Sequence, residues 1–86
     1  MFKYLYKYQR LRDCREDRDL NQTQVGEILG INQRVYSIYE TGQRQIPVEY
    51  LIELALFYNT SVDYLLGLTN NPSPYERNKQ GESAND

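Results

Sequence analysis

Over the first 68 positions the apolar residues recur at spacings of three and four, and no stretch alternates with a period of two, so this part of the chain reads as helical. A first helix is expected over about Tyr8 to Arg18, its start open towards the N-terminus, with Leu11 and Cys14 facing inward. Asn21 followed by Gln24 is a capping-box pattern and predicts a second helix from Gln22 to Leu29, which Gly30 ends. Asn32 can cap a third helix, Gln33 to Glu40, closed by Gly42. Pro47 suits the first turn of a fourth, whose buried face is Leu51, Leu54, Ala55 and Tyr58. Asn59 stops it, and Ser61 caps a last short helix with Val62, Leu65 and Leu66 inward before Gly67. Helices this short are not stable alone, so packing must hold them together.

The pattern changes at Thr69. From there to Asp86 the segment TNNPSPYERNKQGESAND has only two apolar residues, Tyr75 and Ala84. So little apolar surface does not offset the entropy of ordering, and a disordered tail is expected over 69–86. Residues 1–7 form an N-terminal extension and 8–68 the folded domain. No repeat with a period of 20 to 50 residues is present.

Composition narrows the chemistry. The chain has 86 residues, no His, no Trp, nine Tyr and one Cys. The single Cys14 excludes an internal disulfide framework, and the missing His removes the usual metal ligands and Ser–His or Cys–His pairs. MFKYLYKYQR lacks the long apolar core of a secretory signal, and no run approaches a membrane span. A cytoplasmic, reduced, non-enzymatic protein is expected, with no metal, cofactor, small-molecule ligand or membrane partner. The formal charge of −2 argues, at face value, against nucleic acid as a partner.

The stretch QTQVGEILGINQRVYSIYET, Gln22 to Thr41, overrides that first impression. Two helices meeting at a steep angle leave room only for a small side chain at the crossing, where Gly26 stands. The turn between them needs a left-handed residue, supplied by Gly30. Val25, Leu29, Ile31, Tyr36 and Tyr39 are spaced to pin both helices to the rest of the domain. This resembles the helix-turn-helix of the phage repressor and Cro-like family, also called the XRE family. The resemblance runs from about Tyr8 to Leu68 and includes LRDCREDRDL, the LNQ entry to the second helix, LGI in the turn, YE–G after the third helix and SVDYLLG at the end. It implies an all-α, compact five-helix lambda-repressor-like domain with helices 2 and 3 as the helix-turn-helix, and a bacterial or phage origin.

The resemblance also assigns roles. Helix 3 would enter the major groove of double-stranded DNA, presenting Gln33 and Arg34 to base edges, with Ser37 and Ile38 further along. Gln can pair with adenine and Arg with guanine, whereas Ile38 could meet only a thymine methyl. Asn21, Gln22, Asn32, Gln43 and Arg44 would meet phosphates. Arg15 would pair with Glu40 to brace the reading helix. Family members usually pair through the end of the domain, so a homodimer contact is expected at Tyr64, Leu65 and Leu68, placing two reading helices about 34 Å apart on a palindromic operator. With no second domain in view, regulation would come from concentration, a regulatory protein partner or proteolysis.

Blander readings stand beside these. Gln33 and Arg34, taken singly, are ordinary solvated residues, and Arg15 and Glu40 ordinary surface charges; only the surrounding motif changes that. Tyr36 and Tyr39 suit the core better than base stacking, with the Tyr36 hydroxyl free to reach a phosphate. Cys14 suits the core better than a redox role. Glu49, Glu53 and Asp63 form a solvated acidic face, having no nucleophile beside them. FKYLYKY could extend helix 1, act as a basic arm on DNA or pair two subunits. The reading is a sequence-specific DNA-binding regulator, most simply a repressor. Its rivals are an antitoxin or phage-switch component, and a domain that has lost DNA binding and serves as a protein-interaction module.

The charge, split by segment, no longer excludes DNA. Residues 1–18 carry six basic and three acidic side chains, whereas 48–70 carry three acidic and none basic. The acid collects mainly on helices 4 and 5, which the family turns away from DNA. Weak non-specific binding and few phosphate contacts are the expectation.

Overall fold

The computed structural model describes residues 8–77. Among them are five helices: α1 (Gln9–Asp17), α2 (Gln22–Leu29), α3 (Gln33–Glu40), α4 (Val48–Phe57) and α5 (Val62–Leu65). No strand occurs among the described residues. The extension 1–7 and the end of the tail, 78–86, lie outside them, and with them the expectations for FKYLYK.

Each boundary has a local cause. At α2 the capping box is complete: Asn21 Oδ1 accepts from the Gln24 N–H, and Gln24 Oε1 accepts from the Asn21 N–H, both at 2.8 Å. Gly30 ends α2 with φ of 76°, and the Ile31 N–H closes back on the Gly26 carbonyl at 2.9 Å. Asn32 Oδ1 accepts from the Val35 N–H at 2.8 Å and starts α3. Pro47 is the extended residue just before α4, one position earlier than expected. Asn59 stops α4 in the left-handed conformation, with φ of 55°. Ser61 Oγ then accepts from the Tyr64 N–H and caps α5.

The core draws on every helix. Leu11 of α1, Val25 of α2, Tyr36 of α3, Leu54 of α4 and Leu65 of α5 are all at most 1% exposed. Helices α2 and α3 pack chiefly on each other, α4 against α5, and α1 against α3 and α5. Two core members were not anticipated, Tyr8 before α1 and Ile46 in the loop before α4. Leu66 goes the other way: expected inward, it is exposed, because α5 ends at Leu65 and turns outward through Gly67.

The segment after Thr69 also differs from its expectation over residues 69–77. Arg10 donates to the Thr69 carbonyl and Asn70 Oδ1, at 2.9 and 2.8 Å. Thr60 Oγ1 donates to the Pro72 carbonyl at 2.5 Å, and Arg77 donates to the Thr60 carbonyl at 2.7 Å. Tyr75 donates to Asp63 at 2.7 Å. Polar bonds to its backbone and from its side chains, not burial of its few apolar side chains, hold this stretch over α4 and α5. Composition does not reveal such partners.

Candidate nucleic-acid interface

The crossing of α2 and α3 rests on Gly26. A Cβ there would lie 2.7 Å from the Ile31 carbonyl oxygen and 3.3 Å from the Asn32 backbone carbon. Both are main-chain atoms that cannot swing aside. Only glycine lets the turn sit this close, and the turn fixes the angle at which α3 leaves the domain.

The packed side of α3 is Tyr36 and Glu40, and its outer side begins with Gln33 and Arg34, both exposed. Ser37 and Ile38 are half-buried behind them. Gln43 and Arg44 are exposed in the loop that follows, whose backbone N–H groups fold back on the Ile38 carbonyl. Among the described residues, the side chains of Arg34 and Arg44 have no hydrogen-bond or ion-pair partner. Two guanidinium groups, one on α3 and one in the loop after it, therefore face solvent.

Behind that surface runs a chain of polar contacts. Arg15 donates from Nε to Glu40 Oε1 and from Nη2 to Oε2, both at 2.9 Å, and from Nη1 to the Leu20 carbonyl at 2.9 Å. The side chains are only 13% and 5% exposed. Gln22 Nε2 donates to Glu40 Oε2 at 3.3 Å, and Gln22 Oε1 accepts from Gln33 Nε2 at 2.7 Å. Burial alone would raise the Glu40 pKa, but the bonds from Arg15 and Gln22, the nearby Tyr36 hydroxyl and the Arg15 charge hold it below the usual value. The same carboxylate raises the pKa of Arg15. Helix α3 is thus tied from its last residue to α1, and from its first to α2. Of these contacts the Arg15–Glu40 pair was named from sequence; the two made by Gln22 were not, since no spacing signals them.

Other expected residues fall into place with qualifications. Asn21 and Asn32 are exposed at the two helix starts, but each side-chain oxygen is engaged in its own cap. What each still offers a phosphate is its amide NH2 group. The Tyr36 hydroxyl is not free for a phosphate as anticipated: the residue is 0% exposed, and the hydroxyl points inward near Glu40 without reaching hydrogen-bonding geometry. Burial pushes the pKa of this phenol, and that of Tyr58, far up. Cys14 is a buried core thiol whose pKa burial raises.

The three residues expected at a dimer contact do not share one surface. Leu65 is 1% exposed and belongs to the core, because α5 turns it under the domain; it has no surface to offer a second chain. Tyr64 is half-buried with the Arg10 guanidinium 4.0 Å above its ring. Leu68 alone stands clear, at 74% exposure. Among the described residues no helix is long and apolar enough to cross a membrane, and no group of three metal-ligating side chains occurs.

Comparison with known proteins agrees with this geometry. The helix-turn-helix family model matches residues 11–65. An uncharacterised helix-turn-helix transcriptional regulator of Bacillus subtilis, YobD, is 42% identical over 66 residues, 77% of this chain and 59% of that protein. The cryptic phage CTXphi transcriptional repressor RstR of Vibrio cholerae is 35% identical over 57 residues, 66% of this chain and 51% of that one. The chain spans about half the length of the curated relatives it matches. A crystal structure of a transcriptional regulator from Listeria innocua superposes with a TM-score of 0.66 at 24% identity, over 87% of this chain and 64% of that one, and so shares the fold. With the family model covering more than half of its length, the chain belongs to the helix-turn-helix family of phage repressor and Cro-like, or XRE, type, a non-enzymatic class of regulators.

Proposed function

We propose that this chain is a sequence-specific DNA-binding transcriptional regulator, a repressor that sets α3 in the major groove of double-stranded DNA. The observation that carries this is the first turn of α3: Gln33 and Arg34 stand exposed there, and Gln33 is held from behind by Gln22 at 2.7 Å. Side chains able to read adenine and guanine are presented together from a braced helix. Gln33, Arg34, Ser37 and Ile38 meet bases in this reading. Gln22, Gln43, Arg44 and the amides of Asn21 and Asn32 meet the backbone. The repressor name carried by the Vibrio cholerae relative supports the sign of regulation.

The active species in this reading is a homodimer on a palindromic operator. With Leu65 buried, the contact falls to exposed apolar side chains of α4 and of the turn after α5, among them Ile52, Leu56, Leu66 and Leu68. This side carries Glu49, Glu53 and Asp63 and no basic residue within α4 and α5, so it would repel the DNA backbone. Such a regulator would work in the cytoplasm, beside bacterial or phage DNA. A titration against genomic fragments at low and moderate salt tests the proposal. A retarded specific fragment whose affinity falls with rising salt is expected. No retarded fragment at low salt would leave the protein-interaction module as the better reading.

A further inference from the structure

Segment 69–77 forms one wall of an apolar groove of about 290 Å³. Ile52 and Leu56 of α4 and Val62 and Asp63 of α5 line it opposite Tyr75 and Arg77. Pockets for drug-sized ligands run from about 300 to 1,000 Å³, so this groove is sized for side chains. We propose that it receives residues 1–7, MFKYLYK, of a second copy of the chain, each copy of the homodimer laying this segment on the other's α4. The inference rests on the homodimer reading above and names the segment that completes its contact.

Charge is what calls for a second segment. Glu49, Ile52, Glu53 and Leu56 are three or four positions apart along α4, and all are exposed, so one helix face mixes acid with apolar surface. Asp63 adds a third carboxylate at the groove. In a twofold contact this face meets its own copy, and like charges brought together oppose docking. Arg77 relieves this little. Glu76 precedes it, and its Nη2 is already held by the Thr60 carbonyl at 2.7 Å.

Residues 1–7 have the complementary composition. They contain Lys3 and Lys7 and no acid, and Phe2, Tyr4, Leu5 and Tyr6 supply apolar bulk. The segment also joins the domain on the right side. Tyr8 is 6% exposed in the core, and Arg10 donates to the Tyr64 carbonyl of α5 at 2.9 Å. Seven residues reach at most about 25 Å, roughly two helix diameters, enough to cross from α5 to a copy packed against it.

A charge swap in the full chain tests this. Dimer dissociation constants are measured by sedimentation equilibrium for the wild type, Lys3→Glu with Lys7→Glu, Glu49→Lys with Glu53→Lys, and all four together. Circular dichroism checks that each variant is folded. Every contact occurs twice in a symmetric dimer, so the lysine reversal should weaken dimerisation about tenfold or more at low salt, and less at high salt. The fourfold variant should recover most of that loss. A wild-type dimer that the lysine reversal leaves unchanged overturns the proposal and leaves the homodimer standing. If DNA affinity then falls, residues 1–7 act on DNA instead. Tighter dimerisation on lysine reversal also overturns it, because the segment would then cover its own α4. So does a fourfold variant no tighter than the lysine reversal alone. A wild type that stays monomeric at all concentrations removes both this proposal and the homodimer.

Discussion

Gln33 donates its side-chain amide to Gln22 Oε1 at 2.7 Å, joining the first residue of the reading helix to the first residue of the helix before it. Sequence alone gave these residues separate tasks, one on a base and the other on a phosphate. The bond makes them a unit, because whatever fixes Gln22 on the backbone also aims Gln33. A double-mutant cycle of Gln22→Ala and Gln33→Ala on operator binding should show a coupling of about 0.5 kcal/mol or more. Losses that simply add would mean that the contact does not survive in the complex.

The Arg15–Glu40 pair is the second tie on α3 and is well buried, so removing either partner strands a charge. Arg15→Ala or Glu40→Ala should cost about 3–5 kcal/mol of folding stability, read from urea unfolding. A loss below about 1 kcal/mol would put the pair among ordinary surface bridges.

The depressed pKa of Glu40 makes that tie sensitive to acid. A carboxyl whose folded pKa lies below its unfolded value adds stability that is complete above the unfolded value, near 4.5, and is lost as pH falls through the folded one. Between about pH 5 and 3 the wild type should therefore lose stability faster than Glu40→Gln. Parallel curves for the two proteins over that window would contradict the assignment.

Gly26 and Gly30 separate crowding from conformation. Gly26→Ala pushes a Cβ to 2.7 Å from the Ile31 carbonyl oxygen and should cost about 1–3 kcal/mol, with DNA affinity falling as the crossing angle opens. At Gly30 nothing lies within 4 Å of a Cβ, and only the positive φ opposes alanine. That substitution should cost about 1–2 kcal/mol of stability. Unfolding curves for both variants, with Gly26→Ala no less stable than wild type, would discard the close-approach argument.

Much of this architecture was legible in the sequence because its signals are local. Asn21 with Gln24, Gly30 and Asn32 set the bounds of α2 and α3 through bonds spanning three or four residues, and those two helices fall where expected. Arg15 and Glu40 are 25 positions apart, and only resemblance to a family pattern joined them. What stayed hidden depends on side chains meeting across the fold. Nothing in the spacing of Gln22, Gln33 and Glu40 says that one amide touches the other two groups. Leu65 and Leu68 looked alike as apolar residues near the end, yet the left-handed turn at Gly67 sends one into the core and the other into solvent. Segment 69–77 was misjudged because its anchors, Arg10 and Thr60, lie on other elements.

The central claim, that α3 reads a defined operator as part of a symmetric dimer, is met most directly by selection from a random pool of duplex DNA with the intact chain. The account predicts enrichment of an inverted repeat whose half-sites lie about one helical turn apart, centre to centre. Recovery of sequences no different from the starting pool, at low salt as well as moderate, would contradict it.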